Sequence, residues 1–294
     1  MTLPLVGAGG EPIDLRRTIC SHGLIDLLPH RPAGDYRALE TTLRFEDDAR
    51  TVRIAEEPKG CLTIALAGRS SAAMRAAALA AVRTMLALDD DLSGFYARVA
   101  DDPQLAWAAK GAGRLMRSPT AFEDVIKTIL TTNCAWSATI RMNRALVEGL
   151  GPQAPDGTHA FPSPHAMAAA SPAFYRDEMR AGYRGPYLRA LAERAASGEL
   201  DLEALRDAPR DALDDESLEK QLRALPGVGP YAAAHIMMLF GRRHRLVLDS
   251  ATRPKYARLN GRKAKDATIV RRFARYGDDA GLAFWLFLTR DWLE

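Results

Sequence analysis

The chain has little cysteine: three in 294 residues, Cys20, Cys61 and Cys134, far apart and without a CxxC pair. That spacing excludes a disulfide scaffold, a zinc ribbon and a four-cysteine iron–sulfur cluster, and leaves a buried reduced thiol as the default for each. No run of about 18 apolar residues is present, and the N-terminal MTLPLVGAGGEPID lacks a charged region followed by a long apolar one. Neither a membrane span nor a secretion signal is therefore expected. Low-complexity segments and internal repeats are also missing. What remains is an ordinary globular composition, 47% hydrophobic, in a chain long enough for two or three compact units.

Residues 11 to about 70 look β-rich. Around Pro58-Lys59-Gly60, the runs TVRIAE and CLTIAL alternate apolar and polar positions, with Val52 and Ile54 before the turn and Leu62, Ile64 and Leu66 after it. This predicts a hairpin in a half-buried antiparallel sheet. From Ser71 the spacing of Met74, Leu79, Val82, Met85 and Leu86 becomes helical, and nearly everything beyond is helical too. Ser118-Pro119 reads as a cap followed by proline at the first helical position, with Phe122, Val125, Ile126, Ile129 and Leu130 as the apolar stripe. That helix should stop near Thr131-Thr132-Asn133-Cys134, and a second should run from Trp136 to about Leu150. Ser163-Pro164 and Ser171-Pro172 open short helices, and Tyr183-Arg184-Gly185-Pro186-Tyr187 breaks the chain before another. The expected class is α+β, mostly α: an antiparallel β-rich unit with a packing helix over 1–88, then a helical unit over 89–294.

The net charge of +3 hides an uneven distribution. Segment 199–219 carries nine acidic residues against Arg206 and Arg210, whereas from Arg242 onward basic residues dominate. The later half could grip a polyanion; a solvated charged face is the plain alternative.

The most informative stretch is Leu225 to Asp249, LPGVGPYAAAHIMMLFGRRHRLVLD. Gly227 and Gly229 permit a tight turn between two apolar helical segments, within a helix-hairpin-helix at about 216–240, and keep side chains off the backbone. Amides there, at the start of a helix beginning near Pro230, suit a phosphate. A simple turn between packed helices is the alternative. Asp249 lies twenty residues beyond Gly229. The second hairpin helix rises roughly 15 Å and the chain then returns, so this carboxylate can come back toward the phosphate-holding end. Beside a sugar, it would suit an oxocarbenium-like transition state. N-capping of the following helix is its alternative role, for which Ser250 competes.

LPGVGPYAAAHIMMLFG followed by VLDS resembles the helix-hairpin-helix (HhH-GPD) DNA glycosylase superfamily. SPTAFEDVIKTILTTNCAWSATIRMNRALVEGLG is similar to the first helical pair of that family's core. The β-rich start with LDDDLSGFY after it looks like the extra N-terminal domain of the 3-methyladenine (type II) and 8-oxoguanine branches. The match is most specific over 118–150 and 215–260. It implies that Asp249 is the catalytic aspartate and that Gly227, Val228, Gly229 and Tyr231 meet the DNA backbone; Arg253, Lys255 and Arg258, just after Asp249, are phosphate-contact candidates by charge and position alone. A structural monovalent cation at the carbonyls of Leu225 and Val228 is the one ion it allows, with no other cofactor. Asn133 falls where the family fills the gap left by the flipped nucleotide, with Trp136 close by; a helix C-terminal position would equally suit an asparagine.

Departures from the family pattern carry information as well. Bifunctional members, which cut the strand through a Schiff base, have a lysine where this chain has Tyr231, so a monofunctional, water-using enzyme is implied. Tyr231 resembles the aromatic residue lining the base pocket of alkyl-purine members. His235, one turn further, is a second pocket candidate or else a satisfied core histidine. Gly277-Asp278-Asp279-Ala280-Gly281 looks instead like the oxoguanine branch. The resemblance thus implies a monomeric glycosylase acting on double-stranded DNA with a damaged purine, alkylated in preference to oxidised, in the cytoplasm (nucleoid-associated) or the nucleus. The alternative is a non-catalytic DNA-binding module in which Asp249 only caps a helix.

Overall fold

The computed structural model of the chain describes residues 1–46, 48–57 and 60–293. Five strands form one antiparallel sheet: β1 (Thr2–Pro4), β2 (Arg31–Ala33), β3 (Ala38–Phe45), β4 (Asp48–Glu57) and β5 (Cys61–Leu66), in the order β1-β5-β4-β3-β2. Alternation sets the buried face. Leu39 pairs with Ile54, and Ile54 with Ile64, so three apolar side chains line up across three strands. The expected β4–β5 hairpin is present; Pro58 and Lys59 of its turn lie outside the described residues.

Two short elements differ from the sequence expectation. β1 precedes the β-rich zone and pairs along β5, where Pro4 is tolerated because the strand is at the edge. Within that zone, Leu15–Ile19 is a helix, α1, because the Asp14 carboxylate accepts the Arg17 amide at 2.9 Å and caps it.

The helix α2 (Ala72–Met85), capped by Ser71, covers the sheet with Ala78, Val82 and Met85. The remaining helices are α3 (Ser93–Val99), α4 (Ala121–Leu130), α5 (Trp136–Leu150), α6 (Pro164–Ala169), α7 (Arg184–Ala196), α8 (Leu202–Asp207), α9 (Asp215–Arg223), α10 (Pro230–Leu239), α11 (Thr252–Leu259), α12 (Asp266–Phe273) and α13 (Ala280–Thr289). α4 starts two residues later than Ser118-Pro119 suggested. Thr120 is its cap, accepting the Glu123 amide at 3.2 Å, while the Ser118 amide goes to Asp124. The Tyr183–Tyr187 stretch does not break the chain: α7 begins inside it at Arg184, with Pro186 in the first turn, where no amide donor is needed. None of the described helices is long and apolar enough to cross a membrane.

α10 is the centre of the helical unit, buried from Ala232 to Leu239 and packed on α4 and α9. Three consecutive alanines allow the close approach. α4 is itself buried along its whole length, polar residues included. Lys127 meets Glu123 at 2.6 Å, and His30 Nε2 lies 3.8 Å from the same carboxylate while its Nδ1 reaches Thr41 of β3 at 3.0 Å. This polar bridge ties the sheet to the helical unit. Burial pushes the neighbouring Asp124 carboxyl up to about 7.

The segment between α10 and Asp249 is fixed from the C-terminal side. The Gly281 and Leu282 amides donate to the Arg243 carbonyl at 2.8 and 3.2 Å, and the Arg243 guanidinium joins Asp279 and Asp90 at 3.0 and 3.4 Å. A Cβ on Gly281 would sit 2.0 Å from the Arg245 carbonyl oxygen. Gly281→Ala is therefore expected to cost about 1–3 kcal/mol, read by urea denaturation, because backbone rather than a flexible side chain must move.

Candidate active site

The hairpin that joins α9 to α10 is built as its glycines require. Gly227 has φ +82°, in the left-handed region, and a Cβ there would lie 3.2 Å from Ile129 and from Tyr187. Val228 is buried beneath the turn, and its amide closes it by donating to the Leu225 carbonyl at 3.1 Å. That carbonyl keeps one lone pair. Gly229 caps α10 with extended backbone and nothing within 4 Å of a would-be Cβ, and no side chain caps the helix. The first-turn amides, including that of Tyr231, are thus left for solvent or a ligand, with the helix dipole behind them.

Asp249 sits across a cleft of about 540 Å³ from this turn. Its Oδ1 accepts the amides of Ala251 and Thr252 at 2.8 and 2.7 Å, and its own amide donates to Thr252 Oγ1 at 2.8 Å. Asp249 therefore caps the turn that leads into α11, and Ser250, exposed, does not compete. Oδ2 accepts no hydrogen bond among the described residues. One carboxylate oxygen fixes the side chain, and the other is free for the cleft.

Tyr231, half-buried, lines the same cleft, its hydroxyl 3.3 Å from Thr131 Oγ1. Burial raises its phenol pKa; the Thr131 hydrogen bond opposes that shift and the Asp249 charge adds to it. His235 lies one turn deeper, its ring centroid 6.2 Å from that of Tyr231. It is a core histidine but not a satisfied one: Nε2 is buried with no partner among the described residues, and burial holds its pKa down at about 4. The surrounding rings cannot serve it. His22, 5.7 Å away, uses Nε2 on the Met116 carbonyl and Nδ1 on the Leu24 amide, and Trp285, 6.4 Å away, donates to Ser21.

At the other rim, Asn133 ends α4 in the left-handed region, φ +48°, with Nδ2 donating to the Tyr183 hydroxyl at 3.1 Å. It occupies a helix C-terminal position and the cleft at once. Trp136 is 40% exposed and lies over Gly23, outside the cleft that holds Asp249. Arg253 lines the cleft but pairs with Asp266 at 2.9 and 2.8 Å. Among the described residues no group of three His, Cys, Asp or Glu could hold a metal ion.

Several lining residues were not singled out from the sequence. Thr131, Thr132 and Cys134 face the cleft beside Tyr231, and Tyr183, 50% exposed, stands next to Tyr187, 40% exposed, with ring centroids 6.0 Å apart. Arg184, nearly buried, donates to the Thr132 carbonyl and has its guanidinium 4.6 Å from the Tyr183 ring centroid. The two tyrosines four apart at a helix start were the available signal; the intervening glycine and proline masked it.

No protein-family model and no curated protein matches the chain by sequence. Solved structures do match. A 3-methyladenine DNA glycosylase from Archaeoglobus fulgidus shares 19% identity over 99% of both chains, with a TM-score of 0.75. MBOgg1, solved with a low-affinity DNA ligand, shares 18% identity over 100% of this chain and 96% of that one, with a TM-score of 0.73. The 8-oxoguanine glycosylase/lyase of Clostridium acetobutylicum shares 19% identity over 91% of this chain and 93% of that one, with a TM-score of 0.67. At such identities the likeness concerns the fold, which is that of these DNA glycosylases.

Two stability measurements follow from the site. Asp249→Ala should cost about 1 kcal/mol in urea denaturation through loss of the cap, whereas Asp249→Asn, which keeps an acceptor at Oδ1, should stay within a few tenths of wild type. For His235 the folded pKa of about 4 lies below the ordinary 6.5. Stability is therefore full above pH 6.5 and falls as pH drops toward 4, because only the unfolded chain takes up the proton. His235→Phe should flatten that fall by up to about 1.4 kcal/mol per pH unit; an unchanged slope would show that His235 does not titrate this way.

Proposed function

We propose, on the premise of the shared glycosylase fold, that this chain is a monofunctional DNA glycosylase that flips a damaged purine out of duplex DNA and hydrolyses its N-glycosidic bond. The carrying observation is the Asp249 carboxylate, oriented by two amides through Oδ1 and free at Oδ2, in a cleft that contains no lysine among its lining residues. An extruded nucleotide would place its sugar against Oδ2, while the amides of Gly227 and Gly229 hold a backbone phosphate. As the C1′–N bond breaks, its electron pair leaves with the base and positive charge grows on the sugar; the fixed carboxylate stabilises that charge. Water then adds its oxygen to C1′ and loses a proton toward Asp249 or solvent. Asn133, at the opposite rim, fills the gap in the stack. With Tyr231 in place of an amine, no Schiff base forms and the strand is left uncut.

The cleft also favours one class of base. Tyr231 holds its proton tightly and His235 is uncharged, so no strong acid is positioned to protonate a leaving group. An N3- or N7-alkylated purine is already cationic and departs neutral, and aromatic faces suit it. The Gly277–Gly281 pattern does not speak against this, because Gly281 is explained by its close approach to the Arg243–Arg245 backbone. The capping role of Asp249 keeps one rival alive, a DNA-binding module without catalysis.

Duplexes carrying a single 3-methyladenine, 7-methylguanine, hypoxanthine or 8-oxoguanine, incubated with the protein and then treated with alkali, decide between them. Alkali-dependent breaks at the alkylated bases, reduced about 100-fold or more by Asp249→Asn, are expected. DNA binding without breaks at any lesion would leave the binding module standing, and borohydride-trapped breaks without alkali would overturn the monofunctional assignment.

A further inference from the structure

The hairpin and Asp249 leave the basic second half of the chain unused. Between Asp249 and Asp266 the sequence carries Arg253, Lys255, Arg258, Arg262, Lys263 and Lys265 and no acidic residue at all. The structure divides these six. Arg253 is held by Asp266, and Lys255 by Asp291 at 2.9 Å. Arg258, Arg262, Lys263 and Lys265 are exposed and enter no ion pair among the described residues. Elsewhere basic side chains mostly have partners: Arg210 and Arg242 share Asp215, Arg245 meets Glu219, and Arg275 meets Asp102.

The loop that carries three of the four is pinned at both ends. Before it, Asn260 Oδ1 accepts from Arg272 at 2.5 Å. After it, Asp266 takes both guanidinium nitrogens of Arg253, a residue on the rim of the Asp249 cleft. The uncompensated charge is therefore tied to the cleft and held in place before any ligand arrives, which lowers the ordering cost of binding. α11 carries Arg258 roughly 7.5 Å along its axis from Arg253 at the cleft, so the charge continues beyond the rim.

We infer that Arg258, Arg262, Lys263 and Lys265 form a ledge that binds the phosphates of the duplex flanking the extruded nucleotide, beyond the rim occupied by Arg253. The inference rests on the glycosylase assignment for its partner. Contacts to phosphates carry no base information, so the ledge grips any duplex sequence alike and serves retention while lesions are searched for.

The test is the salt dependence of binding to undamaged and lesion-bearing duplexes, followed by fluorescence anisotropy. For Arg262→Ala/Lys263→Ala/Lys265→Ala, the slope of log K against log salt should fall by about 2–3, near 0.9 per lost phosphate contact, on both duplexes alike. A control with the same charge change at Arg69, Arg75 and Lys110, none of which lines the cleft, should keep the wild-type slope. Melting temperatures of both variants verify that the fold is intact, as expected for exposed side chains. A ledge variant with the wild-type slope overturns the inference, and so does a control that loses as much slope as the ledge variant. If wild type excises lesions and the ledge variant binds unchanged, the ledge fails and the glycosylase stands. If no lesion is excised but the slope falls as stated, the glycosylase fails and the ledge stands as a DNA grip.

Discussion

The site depends on how closely α10 packs against its neighbours. A helix whose residues are buried from Ala232 to Leu239 has no solvated face, so its position is fixed from all sides, by α4, α9 and the rings of His22 and Trp285. Its N-terminus carries the hairpin. The C-terminus of α4, packed alongside, carries Thr131, Thr132 and Asn133 to the same opening. Alanines at 232–234 let the two helices approach closely enough for Tyr231 to reach Thr131. The rims of the cleft are thus consequences of one packing arrangement, and a change that moved α10 would move them together.

Under the proposed function, Asp249 answers two demands with one side chain. A capping carboxylate is usually spent on its own helix, and a catalytic one must face its substrate. Here Oδ1 is spent and Oδ2 is not. The cap supplies the rigidity a preorganised charge needs, since a freely rotating carboxylate would have to be ordered during the reaction. Capping and catalysis, set against each other on sequence grounds, are compatible in the structure.

Charge is partitioned in a similar way. The acidic run of 199–219 and the arginines just after α10 looked like separate surfaces in the sequence, yet Asp215 and Glu219 pair with Arg242, His244 and Arg245 and close the back of the hairpin. Among the described residues, Arg258, Arg262, Lys263 and Lys265 are left as an exposed run without ion pairs, following Arg253 of the cleft in the chain. Pairing across the fold, rather than net charge, decides which basic residues are free to meet a polyanion.

Local pattern in the sequence determined the type of several elements: alternation gave the β4–β5 pairing, the serine caps gave α2 and α6, and the PGVG turn with its flanking apolar helices gave the hairpin and the fold it belongs to. Capping, alternation and turn geometry are short-range, so they can be read from neighbouring residues. The start of α4 and the helical start at Arg184 were misread because a nearby Thr120 and a first-turn proline compete with the same signals. What the sequence left open was decided by tertiary contact: that Asp249 keeps one oxygen free, that His235 is buried without a partner, that Tyr183 and Arg184 join the rim, and that Trp136 stays outside it. The burial of His235 beside His22, the contacts of Tyr183 and Arg184 with Asn133 and Thr132, and the seat of Trp136 on Gly23 join residues 50 to more than 200 positions apart, and no local periodicity records which of them will meet.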